Sequence, residues 1–296
     1  MTGNNGYDII SDSTANLTDG QIEDFQIKIL PLEFIVDGVS YKAYDPDVKT
    51  DNHQFYEMMR AGQVVRTSLV SISNADAALR SSFEAGRDVL YIGFDSALSS
   101  SYETVSNHME KVWKDSYPDR RLRHIDSLSA ALGHGLLVAE TVQRRDAGMG
   151  LDELADWVED NRLHIAHWFT VEDLSYLQRG GRLSKGAAIA GTLLNIKPVL
   201  HVDDLGRLVP VQKVRGRKRS LQTLFERLEQ TIRQPTEGQS VFISHADCLD
   251  DAHYLLNMIK ERFSGLDFVV NDLDPVIGAH SGPGTVAVFF NTDQGR

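Results

Sequence analysis

The stretch DVLYIGFDSALSSSYETVSNHMEKVW, residues 88–113, decides the reading of the fold. It opens on DVLYIGF, an apolar run of the length of a buried strand. It closes on SSYETVSNHMEKVW, which carries Val105, Met109 and Val112 along one helical face. Between them lies a polar turn rich in Ser and Asp, residues favoured at helix starts. Strand, turn and amphipathic helix in succession make the unit from which parallel sheets with helical crossovers are built.

The unit recurs on both sides. Upstream, YDII reads as a short buried strand, and Thr18 and Gln21 have capping-box spacing for a helix. Asp37-Gly38 inside KILPLEFIVDGVSYKAY marks a tight hairpin between β-prone runs. Asp51 can cap a helix carrying Phe55, Met58 and Met59, and NADAALRSSFEAG is a further helix ended by Gly86. Downstream, RLRHI is a strand and LSAALGHGLLVAETVQRRDAG a long helix. This alternation predicts a mainly parallel sheet covered on both faces.

The second half has a different rhythm. After the helix LDELADWVEDNRL come strand-like HIAHWFTV, a short helix in EDLSYLQRGG, and a small-residue helix in GAAIAGTLLN. HVDDLGRLVPVQKV reads as two strands joined around Gly206, and Leu221, Leu224, Phe225, Leu228 and Ile232 give SLQTLFERLEQTI helical periodicity. VFISHA, DDAHYLLNMIKERF, DFVVNDL and GTVAVFF complete a second α/β unit. The expected class is therefore α/β with two α/β domains, residues 1–165 and 166–296.

Length and composition agree with this. The chain has 296 residues, of which 42% are hydrophobic and 24% charged, a globular composition with room for two domains. Its formal net charge of -12 repels polyanions, so neither nucleic acid nor an anionic membrane surface is an expected partner. Cys248 stands alone, which excludes an intrachain disulfide and a cysteine zinc site. The N-terminus MTGNNGYDIISD lacks the basic and apolar regions of a secretory signal. The most apolar segment is interrupted by Asn195 and Lys197, so a cytoplasmic protein without stable membrane insertion is expected.

Three strand readings end in Asp-Ser, at Ser13, Ser96 and Ser127. Such pairs commonly cap helices. In an open parallel sheet the strand carboxyl ends also form the ligand crevice, so three of them together with RTSLVS (residues 66–71) point to a hydroxyl-lined pocket. No G-x-S-x-G elbow is present and Ser96 has no S-x-x-K around it. A serine hydrolase or transferase using Ser96 or Ser281 stays open as an alternative without a recognisable base. RGGRLSKG is not a phosphate loop; its glycines suit a helix end, which leaves Arg182 unexplained. Arg215, Arg217, Lys218 and Arg219 precede the SLQTLF helix, where cations oppose the macrodipole and an anion would be welcome. His280 stands in the turn-like GAHSGPG. His164 and His167 would point to opposite faces of a strand, and no G-x-G-x-x-G is found, so neither a metal nor a dinucleotide cofactor is expected.

Taken in order, DST (12–14), RTS (66–68), SALSSSY (96–102), LQRGGRLS (177–184), IKPVL (196–200), KVRGRKRS (213–220) and GAHSGPGTVAV (278–288) resemble the DegV family of bacterial fatty-acid-binding proteins over nearly the whole chain. The resemblance implies two α/β domains with an acyl chain in an apolar tunnel near the interdomain face. It further implies that Thr67, Ser68 and Ser96 hydrogen-bond the carboxylate, with Arg182, Arg215 and His280 at the polar mouth. No residue would be catalytic, and the bound long-chain fatty acid would be the only ligand. A separate ATP-binding subunit of fatty acid kinase would convert it to an acyl phosphate for phospholipid synthesis. A lipid-responsive regulator is the remaining alternative. The chain departs from the family pattern at Leu69-Val70, at Ser100 and at Asp95, a carboxylate where a serine is usual.

Overall fold

The computed structural model describes residues 6–183, 195–293 and 295–296. The expected small-residue helix 186–195 lies, apart from Asn195, outside the described residues, as does Ser184.

Strand β1 (Tyr7–Asp12) leads through a single 3-10 turn to helix α1 (Asp19–Phe25). Strands β2 (Lys28–Leu30), β3 (Glu33–Val36) and β4 (Val39–Lys42) come next, then α2 (Asn52–Arg60), β5 (Arg66–Ser68) and α3 (Ile72–Glu84). They are followed by β6 (Asp88–Gly93), α4 (Ser101–Ser116), β7 (Leu122–Asp126), α5 (Ala131–Asp146) and α6 (Leu151–Asn161). The local signals act as read. Thr18 and Gln21 cap α1 reciprocally, at 3.3 and 3.1 Å, and Asp51 accepts the Gln54 N–H at 2.9 Å. Asp37 and Gly38 have φ of 50° and 81°, the two left-handed residues that a two-residue hairpin between β3 and β4 requires.

β2, β1, β6 and β7 form, in that order, an all-parallel sheet. Because β1, β6 and β7 are neighbours, Asp12, Asp95 and Asp126 finish at one rim. β4, β3 and β5 make a small antiparallel sheet beside it. The pairing of β5 with β3 was not foreseen, since three residues are too few to show a period.

The second half comprises β8 (Ile165–Thr170), α7 (Ser175–Arg179), β9 (Ile196–Val202), β10 (Leu208–Arg215) and α8 (Arg217–Thr231). It ends with β11 (Ser240–His245), α9 (Leu249–Arg262), β12 (Asp267–Asp272), α10 (Pro275–Ser281) and β13 (Val286–Asn291). Its six strands run β10-β9-β8-β13-β11-β12, and only β11 and β12 are parallel. The third sheet thus begins at Ile165, while every strand of the other two precedes residue 127.

Helices α3 and α4 cover one face of the parallel sheet, and α6 packs on the other. Helix α5 packs on α6 and also on β8, β11 and β13, so it is shared between the two large sheets and is buried along most of its length. Its glycines permit this. A Cβ on Gly133 would stand 2.1 Å from His167 Nε2, and one on Gly135 would stand 2.4 Å from the Ala15 carbonyl. Helices α8 and α9 close the far face of the third sheet over a second apolar core. Among the described residues no helix is long and apolar enough to cross a membrane.

Candidate functional site

A cavity of about 300 Å³ lies between the rim of the parallel sheet and the inner face of the third sheet, in the size range of small-ligand sites. Its walls are mainly apolar: Phe94 and Leu98 follow β6, Phe169 comes from β8, Leu177 from α7, Val276 and Ile277 from α10, and Phe289 from β13. Val202 and Leu208, the residues that flank the β9–β10 turn, close part of one side.

Polar groups gather at one part of this wall. Thr67 Oγ1 and His280 Nε2 are hydrogen-bonded at 2.8 Å. Gly180 abuts the other side of the imidazole, where a Cβ would be 2.2 Å from Nδ1. Arg182 hydrogen-bonds the Gly180 carbonyl and donates from Nε to the Leu98 carbonyl at 2.9 Å, bringing its guanidinium beside Ser99. Ser99 Oγ accepts the Ser101 N–H at 3.2 Å, which leaves its own hydroxyl proton to donate. Ser281 Oγ is buried in the same wall without a hydrogen-bond partner among the described residues, an arrangement that costs free energy until a partner is supplied.

Burial, and secondarily Arg182, hold the His280 pKa down to about 4, so the ring is neutral at physiological pH. Burial also lowers the Arg182 pKa. A neutral imidazole, several hydroxyls and one guanidinium in the wall of a mainly apolar cavity can receive one small anionic or polar headgroup carrying an apolar tail.

Four of the six residues singled out from the sequence, Thr67, Ser68, Arg182 and His280, come together on this wall. The other two do not line it. Ser96 is not among the residues of the wall, its backbone N–H donates to Asp126 Oδ1 at 3.2 Å, and Ser99 occupies the wall three residues later. Arg215 ends β10 on its exposed side, opposite the inward Val214. Two cations in the first turn of α8 find partners within the chain. Arg217 pairs with Asp251 at 2.8 Å and donates to the Gly284 carbonyl at 2.6 Å, and Arg219 pairs with Glu226 at 2.5 Å. His280 belongs to the last turn of α10 rather than to a free turn. The missed signal was Asp274-Pro275, an N-cap acceptor followed by proline at the first helical position.

Asp95 is fully buried and its Oδ1 accepts the Ala97 N–H at 2.8 Å, while Oδ2 has no hydrogen-bond partner among the described residues. Burial raises its pKa to about 7. It lies under the β9–β10 turn, where a Cβ on Gly206 would be 2.2 Å from Oδ1, and outside the cavity wall. His164 and His167 have separate tasks: His164 Nδ1 lies 3.2 Å from the Thr292 carbonyl, and His167 Nδ1 donates to the Ile165 carbonyl at 2.8 Å. Among the described residues His53, Glu57 and Asp247 bring donor atoms within 4.8 Å of one another, but Arg60 bonds both carboxylates there.

The sequence model of the DegV family, described as a family of uncharacterised proteins, matches residues 7–293, and the chain belongs to this family. A DegV domain-containing protein from Clostridium perfringens is 39% identical over 285 residues, covering 96% of this chain and 97% of that one. The crystal structure of a DegV lipid-binding protein from Thermotoga maritima superposes with a TM-score of 0.83 at 25% identity, over 98% of this chain and 99% of the other. The fatty-acid-binding DegV family protein of Streptococcus agalactiae gives a TM-score of 0.82 at 26% identity, over 97% and 99% of the two chains.

Proposed function

We propose that this member of the DegV family binds a long-chain fatty acid in the cavity and presents its carboxylate to a separate ATP-dependent kinase, which forms the acyl phosphate. The observation that carries the reading is the set of polar side chains Thr67, Ser68, Ser99, Arg182, His280 and Ser281 in the wall of a mainly apolar cavity. Buried methylenes contribute roughly 0.8 kcal/mol each, enough for tight binding of a long chain. Hydroxyl and imidazole donors replace the hydrogen bonds that the carboxylate loses on leaving water, and Arg182 balances its charge. The fatty-acid-binding function stated for the protein of S. agalactiae supports the ligand class.

The chain acts as a carrier on this reading, made of an N-terminal unit to residue 165 and a C-terminal unit from 166, and works in the cytoplasm beside its kinase. A serine nucleophile has little to work with. Among the described residues the serine hydrogen-bonded to a histidine is Ser11, at 3.1 Å from His134 Nε2, and both are fully buried outside the cavity wall. Organic extraction and mass spectrometry of the purified protein should return one acyl chain per polypeptide. Exhaustive relipidation that leaves none bound overturns the ligand. ATP-dependent acyl phosphate formation on adding the kinase tests the carrier role, and its absence with a lipid-loaded chain favours a regulator.

A further inference from the structure

The β9–β10 turn, residues 203–207, closes part of the cavity, because Val202 and Leu208 at its two ends are wall residues. The turn is held together by its own bonds. The Asp203 N–H donates to the Arg207 carbonyl at 3.0 Å, and the Gly206 N–H to the Asp203 carbonyl at 2.9 Å. Asp203 Oδ1 accepts the N–H groups of Leu205 and Arg207, each at 3.0 Å, and Oδ2 pairs with the Arg207 guanidinium at 2.7 Å. Among the described residues no hydrogen bond joins 203–207 to the loop after β6, on which the turn rests.

Beneath the turn lies Asp95. A Cβ on Gly206 would stand 2.2 Å from its Oδ1 and 2.6 Å from its Oδ2, so both oxygens face the Gly206 backbone, whose N–H is committed to Asp203. The contact suits a neutral carboxyl and gives a carboxylate neither water nor a second donor. The surrounding charges do not make up for this. Asp126 at the end of β7 and Asp203 in the turn oppose ionisation. Arg296 favours it, but its terminal N–H groups go to the Leu128 and Arg162 carbonyls and to Ser129 Oγ. Burial first, and then the two acids, hold the Asp95 pKa up at about 7. Lifting the turn would hydrate the carboxylate, take Asp203 away from a like charge and part the wall at Val202 and Leu208, with no hydrogen bond between turn and loop to break.

We propose that the β9–β10 turn is a gate on the cavity, seated while Asp95 is protonated and lifted when Asp95 ionises. The cargo of the gate rests on the fatty-acid reading, so the test has one arm without ligand and one with it. In the unliganded full chain, nitroxides are placed at Leu205→Cys in the turn and Glu103→Cys on α4, both exposed, with Cys248→Ser, and pulsed electron resonance measures their separation. A longer-distance population should grow from pH 6 to pH 8 and be absent from Asp95→Asn, whose carboxamide keeps the shape of the side chain. In the loaded chain, release of a fluorescent long-chain fatty acid to an albumin trap should quicken about tenfold over the same range, as the ionised fraction does, and stay constant in Asp95→Asn. Separations independent of pH, or equally dependent in Asp95→Asn, overturn the gate, as does constant release from a turn that moves. A chain that takes up no fatty acid overturns the reading of the cavity, and the separations still decide whether the turn lifts.

Discussion

Thr67 Oγ1 lies 2.8 Å from His280 Nε2, although one residue belongs to β5 near the start of the chain and the other to the last turn of α10 near its end. The bond fixes the imidazole plane in the cavity wall and joins the small antiparallel sheet to the helix that covers it. Thr67→Val preserves shape and removes the hydroxyl. We expect it to cost about 1 kcal/mol of stability and to weaken fatty-acid binding roughly tenfold, in line with a lost buried hydrogen bond and a ring freed to turn. Calorimetric titration with a soluble fatty acid checks this, and unchanged affinity would detach Thr67 from the headgroup.

Gly180 offers a cleaner perturbation of the same ring. Its φ of -70° suits any residue, so alanine introduces no backbone strain. The new Cβ would sit 2.2 Å from His280 Nδ1, and the ring must move. Gly180→Ala should therefore lower fatty-acid affinity while leaving the circular dichroism spectrum and cooperative unfolding intact. A variant that binds normally would show that the imidazole position is unimportant.

The strand–helix alternation was legible because period and caps are local: DVLYIGF and the Thr18–Gln21 box need no tertiary contact to be recognised. The identity of the cavity serine was not. The Asp-Ser pattern drew attention to Ser96, the residue beside Asp95. In the structure the N–H groups of Leu98 and Ser99 both return to the Asp95 carbonyl at 3.1 Å, and that turn carries Ser99 to the wall. Ser281 was visible only as a possible nucleophile; its unpartnered hydroxyl is a property of the packed cavity. Arg215 could not be placed from charge alone, since strand alternation decides which way it points.

Linkage gives His280 a pH signature. Its folded pKa of about 4 lies below the ordinary value of 6.5, so the unfolded state binds the proton more readily. Its contribution is complete above pH 6.5 and is lost as pH falls toward 4, by up to roughly 3 kcal/mol. Burial depresses His134 and His167 as well, so the wild type alone mixes several terms. The difference between wild type and His280→Gln in urea unfolding isolates one, and it should change over pH 4 to 6.5. A difference independent of pH there would contradict the buried neutral ring.

Asp95 has the opposite sign. Its folded pKa is raised from 3.8 to about 7, so the protonated form is the one the fold accommodates. Stability is complete below pH 3.8 and falls as pH rises through 7. Asp95→Asn removes the ionisation and supplies an N–H₂ where Oδ2 has no partner. Its advantage over wild type should grow between pH 4 and 7 and level off above, at roughly 2–4 kcal/mol. Chemical denaturation across that range measures it, and a constant difference would mean that the carboxyl titrates normally.

Ser96 and Ser99 separate two assignments of the headgroup. Ser99 is in the cavity wall with its hydroxyl proton available to donate, whereas Ser96 is not among the residues of the wall. Ser99→Ala should therefore weaken fatty-acid binding by about 1 kcal/mol, near the worth of one hydrogen bond, and Ser96→Ala should leave it unchanged. Arg215→Ala, on the exposed side of β10, should also leave it unchanged, within about 0.5 kcal/mol. Titration of the three variants with one fatty acid decides the matter. If Ser96→Ala is the variant that loses affinity, the loop after β6 takes a different course around the bound ligand.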